Sequence, residues 1–127
     1  MGYLHKELTK KIINGFFNVY NRLGYGFLEK VYERALTIEL EKMGLKVSTQ
    51  HPVKVYYDGK IIAGFFADMV VDDKVIVELK AVKQLTDAHE IQLVNYLKAT
   101  DIEIGLVLNF GEQPEIRRRI VSNNGRR

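Results

Sequence analysis

The segment Asp68-Met-Val-Val-Asp-Asp-Lys-Val-Ile-Val-Glu-Leu-Lys80 constrains this chain more than any other. It reads as two short, β-branched strands joined by a tight polar turn. In Val75-Ile-Val-Glu-Leu-Lys80 the alternation sends Glu78 and Lys80 to one face, roughly 6–7 Å apart along the strand. With Asp72-Asp73-Lys74 as a three-residue loop, Val71 pairs with Val75 and Asp68 falls opposite Glu78. Directly opposed residues have Cβ atoms ~4.5–5.5 Å apart. Two acids and a lysine therefore gather on one patch of an otherwise apolar hairpin. Carboxylates that close repel each other unless a cation stands between them. Mg²⁺, which takes hard oxygen ligands and keeps several waters, is a candidate. An acid within Val-Ile-Val-Glu-Leu is also costly without a partner.

The rest of the chain supplies helices and strands in a definite order. Leu4, Leu8, Ile12, Phe16, Val19 or Tyr20, and Leu23 recur at helical spacing and predict a first helix over about 5–22. Gly24-Tyr25-Gly26 breaks it. A second helix follows with Leu28, Val31, Tyr32, Ala35, Leu36 and Leu40 on its buried side and Gly44 as its C-terminal cap. Residues 46–57 read as a strand in which Pro52 signals an edge or a bulge. Asp58-Gly59 is a hairpin turn, residues 61–71 return with a bend near Gly64, and residues 75–80 form the third strand. Thr86 can cap a helix to about Lys98, with Glu90 as reciprocal partner. Residues 104–110 are nearly all apolar, as in a strand covered on both faces. Residues 116–121 fit a short strand or a helix. The order helix, helix, three antiparallel strands, helix, strand predicts an α/β sandwich around a mixed sheet.

A length of 127 residues predicts one domain over 1–127, and 46% hydrophobic with 28% charged residues supplies a packed core. There is no cysteine, which excludes disulfides and thiolate zinc sites and suits a reducing, cytoplasmic setting. The first residues carry no apolar run or small-residue cleavage site of a signal peptide, and no apolar stretch reaches the ~20 residues of a membrane span. The net charge of +3 is too small alone to demand a nucleic-acid partner. Its distribution is more informative. Arg117-Arg118-Arg119 and Arg126-Arg127 cluster near one end and Lys6, Lys10 and Lys11 near the other, which reads either as solvated surface or as phosphate contact.

Asp68, followed on the next strand by Glu78-Leu79-Lys80, resembles the signature of the PD-(D/E)XK nuclease superfamily. The predicted elements match that superfamily's αβββαβ core, so the resemblance implies a restriction-endonuclease-like α/β fold, a mixed central sheet flanked by helices. Gly26-Phe-Leu-Glu29-Lys-Val-Tyr32 is similar to the pattern that names the GxxExxY family, and Gln92-Leu-Val-Asn-Tyr96 to the Gln-x-x-x-Tyr element of RecB-like nucleases. The resemblance covers about residues 5–121. The acid–acid–lysine triplet alone is common by chance; four elements in the right order are far more specific. Ala67 stands where the signature has proline.

The resemblance implies that Asp68 and Glu78 bind Mg²⁺ or Mn²⁺, with the Leu79 carbonyl and Glu29 as further oxygen ligands. It implies that Lys80 orients the attacking water or stabilises charge on phosphate oxygens, and that Gln92 and Tyr96 lie beside the active site. Glu29 also has a purely structural reading, because the helix dipole favours an acid in the first turn. Gly26 would permit a turn or a close approach, and Tyr32 would pack with a polar tip. His89 could reach the same cleft but receives no role. The implied activity is metal-dependent phosphodiester hydrolysis of nucleic acid, DNA foremost, leaving a 5′-phosphate. The alternatives are a non-catalytic module binding nucleic acid or protein on the same fold, and a hydrolase of small phosphorylated substrates. The small size leaves little room for base readout and points to a homodimer or larger complex.

Overall fold

Apolar side chains four residues apart build the two helices that open the chain. In a computed structural model describing residues 4–122, the elements run α1 (Lys6–Leu23), α2 (Glu29–Lys42), β1 (Val47–Tyr57), β2 (Lys60–Val71), β3 (Val75–Lys80), α3 (Asp87–Lys98), β4 (Ile104–Phe110) and β5 (Pro114–Ile120). On α1, Ile12, Phe16 and Val19 are buried, with Leu4, Leu8 and Tyr20 packed partly against them. On α2 the inward stripe is Tyr32, Leu36 and Leu40. Two residues expected on that side are not there: Leu28 is 81% exposed and Val31 39%. Leu28 is the extended N-cap and lies outside the helix, and Val31 falls one position off the 32–36–40 stripe. Gly44, at φ 84, turns the chain out of α2 as expected.

The five strands follow each other in sequence order across one sheet. β1, β2 and β3 are antiparallel, β3 and β4 are parallel, and β5 returns antiparallel to β4 from Phe110↔Pro114 to Ile104↔Ile120. The ambiguous last segment is thus a strand. A parallel β3–β4 pair needs a crossover, and α3 provides it. Helices α1 and α2 cover one face through Ile12, Phe16, Tyr32, Leu36, Met69, Val77, Leu106 and Phe110. Helix α3 covers the other through Leu93, Leu97, Val70, Ile76 and Val107. Among the described residues no helix is long and apolar enough to cross a membrane.

Two local devices set the position of α3. Thr86 closes a capping box at its start, and the reciprocal partner is His89, not Glu90. His89 is the third residue after the cap, which is where a side chain can reach back to the cap N–H. Gly105 on β4 then lets the helix lie close, since a Cβ there would stand 2.4 Å from Leu93 Cδ1.

The alternation of β2 reverses at Asp68. Met69 and Val71 face α1 and α2, whereas Ala67 packs under α3 with Val53 of β1. Residues two apart on a regular strand share a face. The partner strand shows the cause: Thr49↔Met69 and His51↔Ala67 are paired, while Gln50 between them is unpaired at φ 49. The sheet therefore rotates about Asp68.

Gly105→Ala should push Leu93 and α3 off the sheet and destabilise the protein by about 1–3 kcal/mol, read as a lower urea midpoint at unchanged slope.

Candidate active site

The β2–β3 ladder runs from Val71↔Val75 through Val70↔Ile76 to Met69↔Val77, the register expected from a three-residue loop, and ends there. One residue further on, side chains replace the ladder. The Asp68 N–H donates to Glu78 Oε2 at 2.8 Å, and the Leu79 N–H donates to Asp68 Oδ2 at 2.8 Å. Both carboxylates therefore sit in the fork where the strands part, each held by the other's strand. Glu78 is buried. Burial first, and the Asp68 charge second, push its carboxyl up to about 8. Asp68 is also raised, chiefly by burial, against the Leu79 N–H and Lys80, which lower it.

Lys80 leaves β3 toward α3. Its amine donates to Gln92 Oε1 at 3.2 Å, and Gln92 Nε2 lies 3.4 Å from the Tyr96 hydroxyl. The amine lowers both acids electrostatically yet bonds the helix amide at rest. Tyr96 in turn packs its ring on Phe65 of β2, centroids 5.9 Å apart. Lys80, Gln92 and Tyr96 thus form one chain of contacts bordering the fork.

The other border comes from α2. A cleft of about 100 Å³ is lined by Glu29, Lys30, Glu33, Gln50, Asp68 and Leu79. Glu29, the first residue of α2, is exposed there and raises Glu78. Tyr32 points inward instead. It stacks on Phe110 at 4.1 Å, donates its hydroxyl proton to Gly24 O at 2.7 Å and accepts the Phe27 N–H at 3.2 Å. Gly26, at φ 110, lies inside that bracketed turn, and open space surrounds the position of its missing Cβ. Its part is the turn, not a close approach.

Sequence reading passed over three residues of this cleft, Lys30, Glu33 and Gln50. Glu33 is buried, ion-pairs with Lys30 at 3.0 Å and accepts the Gln50 amide at 2.8 Å. Gln50 also hydrogen-bonds Asp68 and lowers it. The spacing of Glu29 and Glu33, four apart on one helix, was the available signal.

The arginine run does not form one cationic patch. Arg117 pairs with Glu90 and Glu115, each at 3.5 Å, and Arg119 pairs with Glu90. Arg118 donates to Leu4 O at 3.0 Å. Neighbours on a strand point to opposite faces, and β5 is a strand. Arg126 and Arg127 lie outside the described residues.

A mixed five-stranded sheet with helices on both faces and two acids with a lysine at the fork of its β2–β3 pair agrees with one family. A family model described as the PD-(D/E)XK nuclease superfamily matches residues 6–120. The chain belongs to that superfamily. The nucleases of that superfamily generally depend on divalent metal ions and act on nucleic acid. No curated protein and no solved structure matches the chain.

Among the described residues no three His, Cys, Asp or Glu side chains stand together as a metal-ligand group. The donors present still fit a hard cation that takes two carboxylates and fills its remaining positions with water. Asp68 and Glu78 supply oxygens only, and their mutual repulsion is what a cation would relieve.

The raised acids fix a pH dependence. The Glu78 carboxyl ionises near 4.5 when unfolded and at about 8 when folded. The metal-free fold thus keeps a proton that the unfolded chain releases between those values. The stability this provides is complete below 4.5 and lost as pH rises to about 8. Glu78→Gln should therefore raise Tm by at least about 5 °C at pH 9 in chelator, with little gain at pH 4.5. Thermal melts of both proteins across that range read the difference.

Proposed function

We propose that this chain hydrolyses phosphodiester bonds of nucleic acid with the help of Mg²⁺ or Mn²⁺ held at the Asp68–Glu78 fork. The observation that carries the reading is the pair of half-buried and buried acids bonded across the fork, both raised, with Lys80 at their side. Asp68, Glu78 and the Leu79 carbonyl would hold the ion, and Glu29 would meet it directly or through water. When bound, the ion supplies an activated water and a charge clamp on the pentacovalent phosphorus. Glu78 must lose its proton to serve as a ligand. Gln92 keeps the Lys80 amine beside the fork, from which it can turn to a phosphate oxygen as negative charge grows there. Tyr96 holds Gln92 in place. In-line attack of water leaves a 5′-phosphate.

Tyr32 braces the turn that carries Gly26 and aims Glu29 into the cleft. That arrangement gives the Gly26–Glu29–Tyr32 spacing a physical purpose and supports placing the chain with the GxxExxY proteins.

The test incubates the purified chain with circular and linear DNA and RNA, with Mg²⁺, with Mn²⁺ and with chelator. Cleavage should require metal. Lys80→Ala should keep nucleic-acid binding and lose on the order of 10²–10³ in turnover, the usual loss for one transition-state donor. Asp68→Asn should lose both activity and the metal-dependent rise in Tm; Glu29→Gln should lose less. If wild type and Lys80→Ala both bind nucleic acid and neither cleaves it with any metal, the chain is a binding module.

A further inference from the structure

Residue 50 is where β1 departs from a regular strand. Thr49↔Met69 and His51↔Ala67 are paired, and Gln50 between them is unpaired at φ 49. Glycine takes that left-handed backbone at no steric cost, whereas a residue with a Cβ is strained there. Glutamine therefore brings something that the bend itself does not need. Its side chain enters the cleft that Asp68, Glu29 and Glu33 also line. Its Nε2 donates to Glu33 Oε1 at 2.8 Å. An amide nitrogen carries two N–H groups, and the same side chain hydrogen-bonds Asp68. Glu33 and Asp68, two acids that repel each other, thus share one neutral donor. Glu33 is buried, and Lys30 fixes its second oxygen, Oε2, at 3.0 Å.

We infer that Gln50 is a positioning residue for the fork: its amide ties Asp68 of β2 to Glu33 of α2, and so holds the strand acid and the helix that carries Glu29 at one spacing. This role rests on the metal-dependent nuclease reading and adds a residue to the same site. Gln50 holds no metal itself; it acts through Asp68. The Leu79 N–H fixes Asp68 Oδ2 from β3, and Gln50 approaches from β1, so the carboxylate is held from both strands that flank β2. A partner bonded to a metal ligand, and not to the ion, typically contributes 10–100-fold in metal affinity or activity. On the helix side, the Lys30–Glu33–Gln50 chain begins one residue after Glu29. Cutting it frees the first turn of α2 from Asp68. A role in stability alone has a different consequence. Glycine, which suits φ 49, would then replace Gln50 without loss of metal binding.

The test measures Mn²⁺ binding to the full chain by calorimetry without nucleic acid, beside thermal melts in chelator and metal-dependent cleavage. Gln50→Gly keeps the bend and removes the amide. It should hold Tm in chelator within about 5 °C of wild type while weakening Mn²⁺ binding about 10- to 100-fold. Glu33→Ala cuts the same tie from its other end and should weaken binding too. In the double variant the two losses should not multiply, because one linkage is broken in each. Unchanged Mn²⁺ binding in Gln50→Gly overturns the inference. So do losses that multiply, or a Tm in chelator that falls by more than about 10 °C, which would make Gln50 a structural residue. Wild type that binds Mn²⁺ in a Gln50-dependent way and cleaves no nucleic acid sinks the nuclease reading and keeps this one. Metal-dependent cleavage that Gln50→Gly leaves at full rate and full Mn²⁺ affinity does the reverse. Wild type that binds no Mn²⁺ at millimolar concentration overturns both.

Discussion

The pair of bonds from the Asp68 N–H to Glu78 and from the Leu79 N–H to Asp68 is the contact on which the site depends. Where β2 leaves β3, backbone N–H groups lose their ladder partners, and an unpaired buried donor costs about 1–3 kcal/mol. Here the two acids accept those protons. Their positions are thus fixed by the backbone of the opposite strand, not by side-chain packing. The same atoms that finish the sheet present the charge. Asparagine or glutamine at these positions keeps an acceptor and isolates the chemistry, whereas alanine would also leave N–H groups unpaired.

The surroundings of the fork explain its unusual electrostatics. Val77 and Leu79 turn into the core under α1 and α2 and pull Glu78, between them, out of water. Desolvation then dominates its shift, and Asp68 adds a like charge. Lys80 opposes both effects, but its amine is drawn aside by Gln92. At neutral pH the metal-free fork therefore holds a proton. A divalent cation would take that proton's place.

Legibility in the sequence followed the locality of each interaction. The Val71↔Val75 register was readable because a three-residue loop and strict alternation leave one solution. The αβββαβ order was readable from periodicity and turn residues. Gln50 was missed because alternation was taken to continue through residue 68, whereas the strands rotate there about Gln50 at φ 49; Glu33 was legible as the residue four after Glu29 on α2 and was passed over. Arg117, Arg118 and Arg119 looked like one patch because adjacency in sequence is not adjacency on a strand; their partners Glu90, Glu115 and Leu4 come from three separate parts of the chain. His89, which received no role from the sequence, caps α3, a role set by counting from Thr86.

The fork and the two-stranded arm that β1 and β2 form beyond it have a common origin in strand length. β2 is 12 residues long and β3 only 6, so β2 outruns its neighbour and only β1 and α3 remain beside it. A sheet residue with one neighbouring strand and a helix on one face keeps much of its apolar surface in water. Ile61, Ile62 and Phe66 on the arm are all more than half exposed for this reason. Burial contributes roughly 25 cal/mol per Å², so these side chains add little to the fold while raising the risk of nonspecific association. The end of the β2–β3 ladder at Met69↔Val77 opens the acid pocket on one side of β2 and exposes the aromatic arm beyond it. Re-pairing β2 with a longer β3 would cover the arm and close the fork together.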